Sequence, residues 1–143
     1  MYPLVLQTHS ILRWVVLIAL LYVIIKAFVG WFAGKQYTKL DGKISFLAVS
    51  LTHVQLLFGA TLFFISPKID YFLNNFKTAV KESDIRFLAM EHTALMLIAV
   101  VLITVGSALV KRKQTDKAKF KTAAIWFSIG LLIILASIPW SAN

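Results

Sequence analysis

Four long apolar runs, separated by short polar segments, set the first limit on what this chain can become. They define spans of approximately 4–33, 44–66, 85–110 and 121–140. Each is near the length, about 20 residues, that a helix needs to cross roughly 30 Å of hydrocarbon. Lipid offers the backbone no hydrogen-bond partner, so such segments must satisfy their own amides as helices. The expectation is an all-α integral membrane four-helix bundle, up-down-up-down, forming a single transmembrane domain over residues 1–143. A mean hydropathy of +0.81 agrees, as does an apolar and aromatic share of 59%, well above that of an ordinary soluble domain. The first run has no basic segment ahead of it and no small-residue cleavage site, so it reads as a retained span rather than a signal peptide.

Charge then orients the bundle. The chain carries a formal net charge of +9, but the basic residues lie in the linkers rather than on a soluble face with interleaved aromatics, so nucleic acid is not the expected partner. The first linker has Lys35, Lys39 and Lys43 against Asp41. The third has Lys111, Arg112, Lys113, Lys117, Lys119 and Lys121 against Asp116, whereas the second nearly balances Lys68, Lys77, Lys81 and Arg86 with Asp70, Glu82 and Asp84. The positive-inside rule puts linkers one and three in the cytoplasm of a bacterial inner membrane and both termini outside.

The second linker, "SPKIDYFLNNFKTAVKESD", has Ile69, Phe72, Leu73, Phe76 and Val80 at helical spacing and polar residues on the opposite face. It reads as a short interfacial helix between spans two and three, with Pro67 in its first turn and Ser83 or Asp84 capping the next span. Gly30, Gly34, Gly59, Ala60, Gly106 and Gly130 suit close helix approach, since no phosphate-loop motif surrounds them.

Ionisable groups inside spans are costly, so each needs a partner or a task. Lys26 lies towards a span end and can snorkel to the headgroups. The remaining candidates are His9, Arg13, His53, Gln55, Glu91 and His92. His9 and His92 are expected at matching depth on the first and third helices, which are diagonal in an up-down-up-down bundle. Diagonal axes stand roughly 14 Å apart, a gap that suits a flat macrocycle with one imidazole on each side of its iron. Two histidines that each hydrogen-bond a neighbouring helix are the simpler reading. Arg13 lies one turn below His9, and Glu91 precedes His92; an Arg13–Glu91 pair, or Arg13 on a haem propionate, removes an unpaired charge. His53 is deeper in the second helix, suited to a cross-helix hydrogen bond, a proton relay or a quinone contact. It is too deep to join the other two on one metal ion. The absence of cysteine excludes disulfides, thiolate-held iron–sulfur clusters and covalent c-type haem.

"LQTHSILRW", "LTHVQLLFGATLFF" and "MEHTALMLIAVVL" resemble successive helices in one half of the haem A synthase family, a membrane bundle with paired histidines holding b-type haem. In the middle segment Gln55, Leu57, Gly59 and Thr61 carry the resemblance, which covers roughly the first three spans. It implies that His9 and His92 occupy the ligand positions. The chain also resembles the small four-span bacterial membrane proteins described as cytochrome b-like.

Together these readings lead to a membrane b-type haem protein that transfers electrons near the outer face, beside quinones or other respiratory membrane subunits. The second reading is a cofactor-free accessory subunit whose polar residues fix helix register and whose basic linkers hold a partner or anionic lipid. A haem-modifying enzyme comes third.

Overall fold

Polar residues flanking each apolar run determine where its helix begins and ends. The computed structural model describes residues 1–140. Helix α1 (Tyr2–Ala33) stops at Gly34, whose φ of 66° is left-handed and whose N–H returns to the Gly30 carbonyl. Helix α2 (Lys39–Ile65) starts five residues before the expected position 44. The reason is a capping box: the Thr38 hydroxyl accepts from the Asp41 N–H, and the Asp41 carboxylate accepts from the Thr38 N–H.

After α2 come two short helices, α3 (Pro67–Asn74) and α4 (Phe76–Ala79), and then one long helical stretch. That stretch consists of α5 (Ser83–Arg86), a π-helical segment (Phe87–His92) and α6 (Thr93–Arg112). Helix α7 (Asp116–Ser137) again starts early, because the Thr115 hydroxyl accepts from the Ala118 N–H. At the start of α5 the N-cap is Glu82 and makes no side-chain cap, so the capping expected of Ser83 or Asp84 is not formed.

Four helical stretches, Tyr2–Ala33, Lys39–Ile65, Ser83–Arg112 and Asp116–Ser137, are long and apolar enough to cross a membrane, and the chain is all-helical over its described residues. Helix α1 packs against α2 and α7, and α6 packs closely on α7 and less extensively on α2. The principal contacts therefore run α1–α2–α6–α7 and back to α1, leaving α2–α6 as the loosest seam. Leu20, Ile103 and Phe127 are fully buried at the centre, while Ile18, Phe46 and Leu132 point outward and stay exposed. Small residues bring the helices close: a Cβ on Gly30 would fall 2.6 Å from the Phe120 ring, and Gly106 and Gly130 lie equally tightly against Trp126 and Ile103.

Lys26 does not simply extend to the headgroups. Its ammonium meets the Asp41 carboxylate at 2.9 Å, so Asp41 closes the helix cap and pairs with a lysine of α1. At the other end of the bundle, Ile69 and Phe72 of α3 pack with Ala79 and Ala89 beside Phe63 and Leu88. The continuous stripe expected over 69–80 is broken at Asn75, whose side-chain amide donates to the Tyr71 carbonyl and so competes with helix continuation. Leu73 and Phe76 are left exposed.

Candidate functional site

At the end of the bundle where α1 begins, α1, α2, the π segment and the end of α7 bring polar groups together. Gln55 of α2 donates from Nε2 to the main-chain carbonyl of His9 at 2.9 Å, tying the two helices at this level. Gly59, one turn on, lies beneath the His9 ring; a Cβ there would stand 3.3 Å from Cε1, tighter than most such contacts. Glycine thus leaves room for the imidazole between two packed helices.

Three side-chain atoms in this region are buried without a well-formed hydrogen bond among the described residues, Nδ1 of His9, Nε of Arg13 and Oε1 of Gln55, although the His9 and Gln55 side chains lie close enough to interact with each other. Nearly all buried polar atoms in folded proteins are paired, because an unmet donor or acceptor costs about 1–3 kcal/mol. The three lie on two adjoining helices, α1 and α2. Arg13 also lies over the Trp14 ring, 5.2 Å from its centroid, and Trp14 in turn meets Trp140.

His92 is held from the opposite side. Its Nδ1 lies 2.7 Å from the main-chain carbonyl of Ser137 at the end of α7. A carbonyl can only accept, so Nδ1 carries the proton and the neutral ring keeps its lone pair on Nε2. Fixing one ring nitrogen on a carbonyl to orient the other is how ligating histidines are commonly supported. The His9 and His92 imidazoles interact electrostatically, and each also feels the Arg13 guanidinium. The structure therefore brings together His9, Arg13, Gln55 and His92.

Glu91 and His53 are engaged elsewhere. The Glu91 carboxylate accepts from Nε of Arg86 at 3.0 Å, so Glu91 is neutralised within its own helical stretch rather than by Arg13. Arg86 and Glu91 are five residues apart, a spacing that a π turn brings onto one face and an α turn does not. His53 is exposed on the α2–α6 seam, with Nε2 at 2.8 Å from the Thr104 hydroxyl oxygen. Thr104 gives its own proton to the Val100 carbonyl, so His53 is the donor in this cross-helix bond.

Two contributors were not singled out from sequence. The π segment, "FLAMEH", inserts one extra residue into the turn and rotates what precedes it by about 100° relative to α6. No residue type in it signals that change. The Ser137 carbonyl is free to accept because the last helical carbonyls have no amide a turn ahead; the Pro139 that follows was the readable sign.

Imidazole and guanidinium groups are what this region offers to a cofactor. Two imidazoles lie within electrostatic range of each other here, one with a fixed tautomer, beside a guanidinium nitrogen without a hydrogen bond. Among the described residues no three His, Cys, Asp or Glu side chains gather where they could hold a metal ion. Comparison with known proteins finds no matching family model, no matching curated protein and no matching solved structure.

Proposed function

We propose that this chain is a membrane b-type haem protein that carries single electrons, with His9 and His92 as the residues that would hold the haem iron. The observation that carries this reading is the 2.7 Å contact of His92 Nδ1 with the Ser137 carbonyl, which leaves Nε2 as a prepared ligand atom in a region of buried polar atoms without well-formed hydrogen bonds. Haem, when bound, supplies an iron centre that accepts and releases one electron.

The chain's own residues supply the rest. Ser137 holds the His92 proton on Nδ1 and makes Nε2 more basic. Gly59 leaves the His9 ring its place, and Gln55 ties the backbone of α1 beneath it. Arg13 offers a cation to an anionic carboxylate at low dielectric, where that pairing is strongest. His9 and His92 would hold the haem iron between them, and iron held by two imidazoles would supply electron carriage rather than oxygen chemistry.

In the same proposal the bundle runs up-down-up-down across a bacterial inner membrane, with both termini outside. The basic connections 34–38 and 113–115 then face the cytoplasm, and residues 67–82 form the interfacial cover over the outer end. Partners in this setting are quinones and other respiratory membrane subunits.

An absorption spectrum of the purified protein, expressed with ample haem, is the test. The expected result is a reducible low-spin b-type spectrum that His9→Ala or His92→Ala abolishes and His53→Ala largely spares. One observation favours a second reading: His53–Thr104, Lys26–Asp41 and Arg86–Glu91 are complete within the chain. A wild-type protein with no haem spectrum would make it a cofactor-free accessory subunit whose polar pairs set helix register.

A further inference from the structure

At the end of the bundle remote from His9, the loose α2–α6 seam opens into a cavity of about 70 Å³. Tyr37, Ser45 and Phe46 line it from the first connection and α2, Ser107 and Lys111 from α6, and Lys119 from α7. Its chemistry is divided. Three hydroxyl groups and two ammonium groups meet there, and the Phe46 ring is 65% exposed, reaching from the rim towards the surrounding lipid.

No carboxylate lines the cavity, and the ion pairs among the described residues are Lys26–Asp41 and Arg86–Glu91, so neither Lys111 nor Lys119 is neutralised. Asp41, the nearest acid in α2, is committed to Lys26 and Thr38. Lys119 is held at the site by the Tyr37 ring, with its ammonium 5.4 Å from the centroid. Burial raises the Tyr37 phenol above its ordinary range, keeping it a neutral hydroxyl beside Ser45.

We propose that this cavity binds the headgroup of an anionic phospholipid from the leaflet at that end. Lys111 and Lys119 face the phosphate, the serine and tyrosine hydroxyls meet the phosphate and glycerol oxygens, and Phe46 lies along the first acyl carbons. Basic pockets between membrane helices bind acidic headgroups in this manner. A free phosphate would use the same lysines and hydroxyls but would gain nothing from the lipid-facing Phe46.

The experiment is native mass spectrometry of the full chain released from detergent containing phosphatidylglycerol or phosphatidylcholine. Phosphatidylglycerol should be retained and phosphatidylcholine lost. Lys111→Gln with Lys119→Gln should weaken retention by about tenfold or more. Lys113→Gln with Lys117→Gln, an equal loss of charge outside the cavity, should weaken it far less. Ser107→Leu, which fills the cavity and keeps both lysines, should also lose the lipid. Equal losses in the two lysine pairs, or equal retention of phosphatidylcholine, would overturn the site. Displacement by inorganic phosphate at equal concentration would overturn the lipid as its occupant.

Discussion

The two ends of this bundle treat polar groups in opposite ways. At the junction of α1 and α2 the helix ends close on one another: Thr38 and Asp41 cap each other, Asp41 takes the Lys26 ammonium, and Gly34 closes α1, while Lys111 and Lys119 line the cavity beside them. Where His9 and His92 lie, three buried polar atoms have no well-formed hydrogen bond, and the helix bearing His92 has left α geometry. In a membrane an unmet polar group cannot fall back on bulk water, so this asymmetry sets the two ends apart energetically. Burial alone would not separate them, since Asp41 is more buried than His9 or His92.

Matched glycine substitutions give the largest expected contrast. Gly30→Ala drives a methyl into the Phe120 ring at the capped end and should cost about 1–3 kcal/mol, read as a lower unfolding temperature in detergent. Gly59→Ala asks the His9 ring to move only a few tenths of an ångström, so stability should hold while the haem spectrum changes. Equal destabilisation by both, with the spectrum intact, would break the contrast.

A smaller effect is expected from removing one polar side chain at each end. Asp41→Ala deletes a helix cap and the partner of Lys26, and should cost about 1–2 kcal/mol; the half-exposed lysine limits the ionic share. Gln55→Leu removes an unmet acceptor together with its donor and should leave stability of the haem-free protein within about 1 kcal/mol, measured by denaturation in detergent. Haem affinity should fall in the second variant only.

The smallest effect concerns the short helices that pack against the π segment. The Tyr71 phenol donates to the Glu82 carboxylate at 2.7 Å, and that bond raises its pKa above the ordinary value. A raised pKa stabilises the fold below the unfolded value of about 10, and the benefit is lost as pH rises through the folded value. Protection from hydrogen exchange across 75–82 should therefore fall modestly at alkaline pH in the wild type. Tyr71→Phe should show the reduced protection already at neutral pH, with no further loss of protection at alkaline pH once base catalysis of exchange is divided out.

The four spans were legible because length and apolarity suffice to require a helix in lipid. Their first turns were not: Lys39, Lys43, Lys117 and Lys121 read as solvated linker, yet Thr38 and Thr115 cap helices that run straight through them. For the site, His9, Arg13, Gln55 and His92 stood out as polar residues in apolar runs, and they do converge. The partner of Glu91 did not stand out, since Arg86 is a neighbour only if the intervening turn is widened. Reading that width from sequence fails because a π turn depends on what the surrounding helices gain when one residue is rotated.

That widened turn also gives the site a genetic signature. Loss of a single codon across 87–90 would let the stretch relax to an ordinary α-helix of nearly the same composition, with α6 still seated on α7 and Glu91, His92 and His9 still encoded. The turns of the same helical stretch upstream of the deletion, Arg86 included, would rotate by about 100° about the axis and rise by about 1.5 Å relative to α6. In a lineage of such chains the π turn would appear as a one-residue gap beside the histidine, and its presence or absence would sort sequences that residue identity alone leaves together.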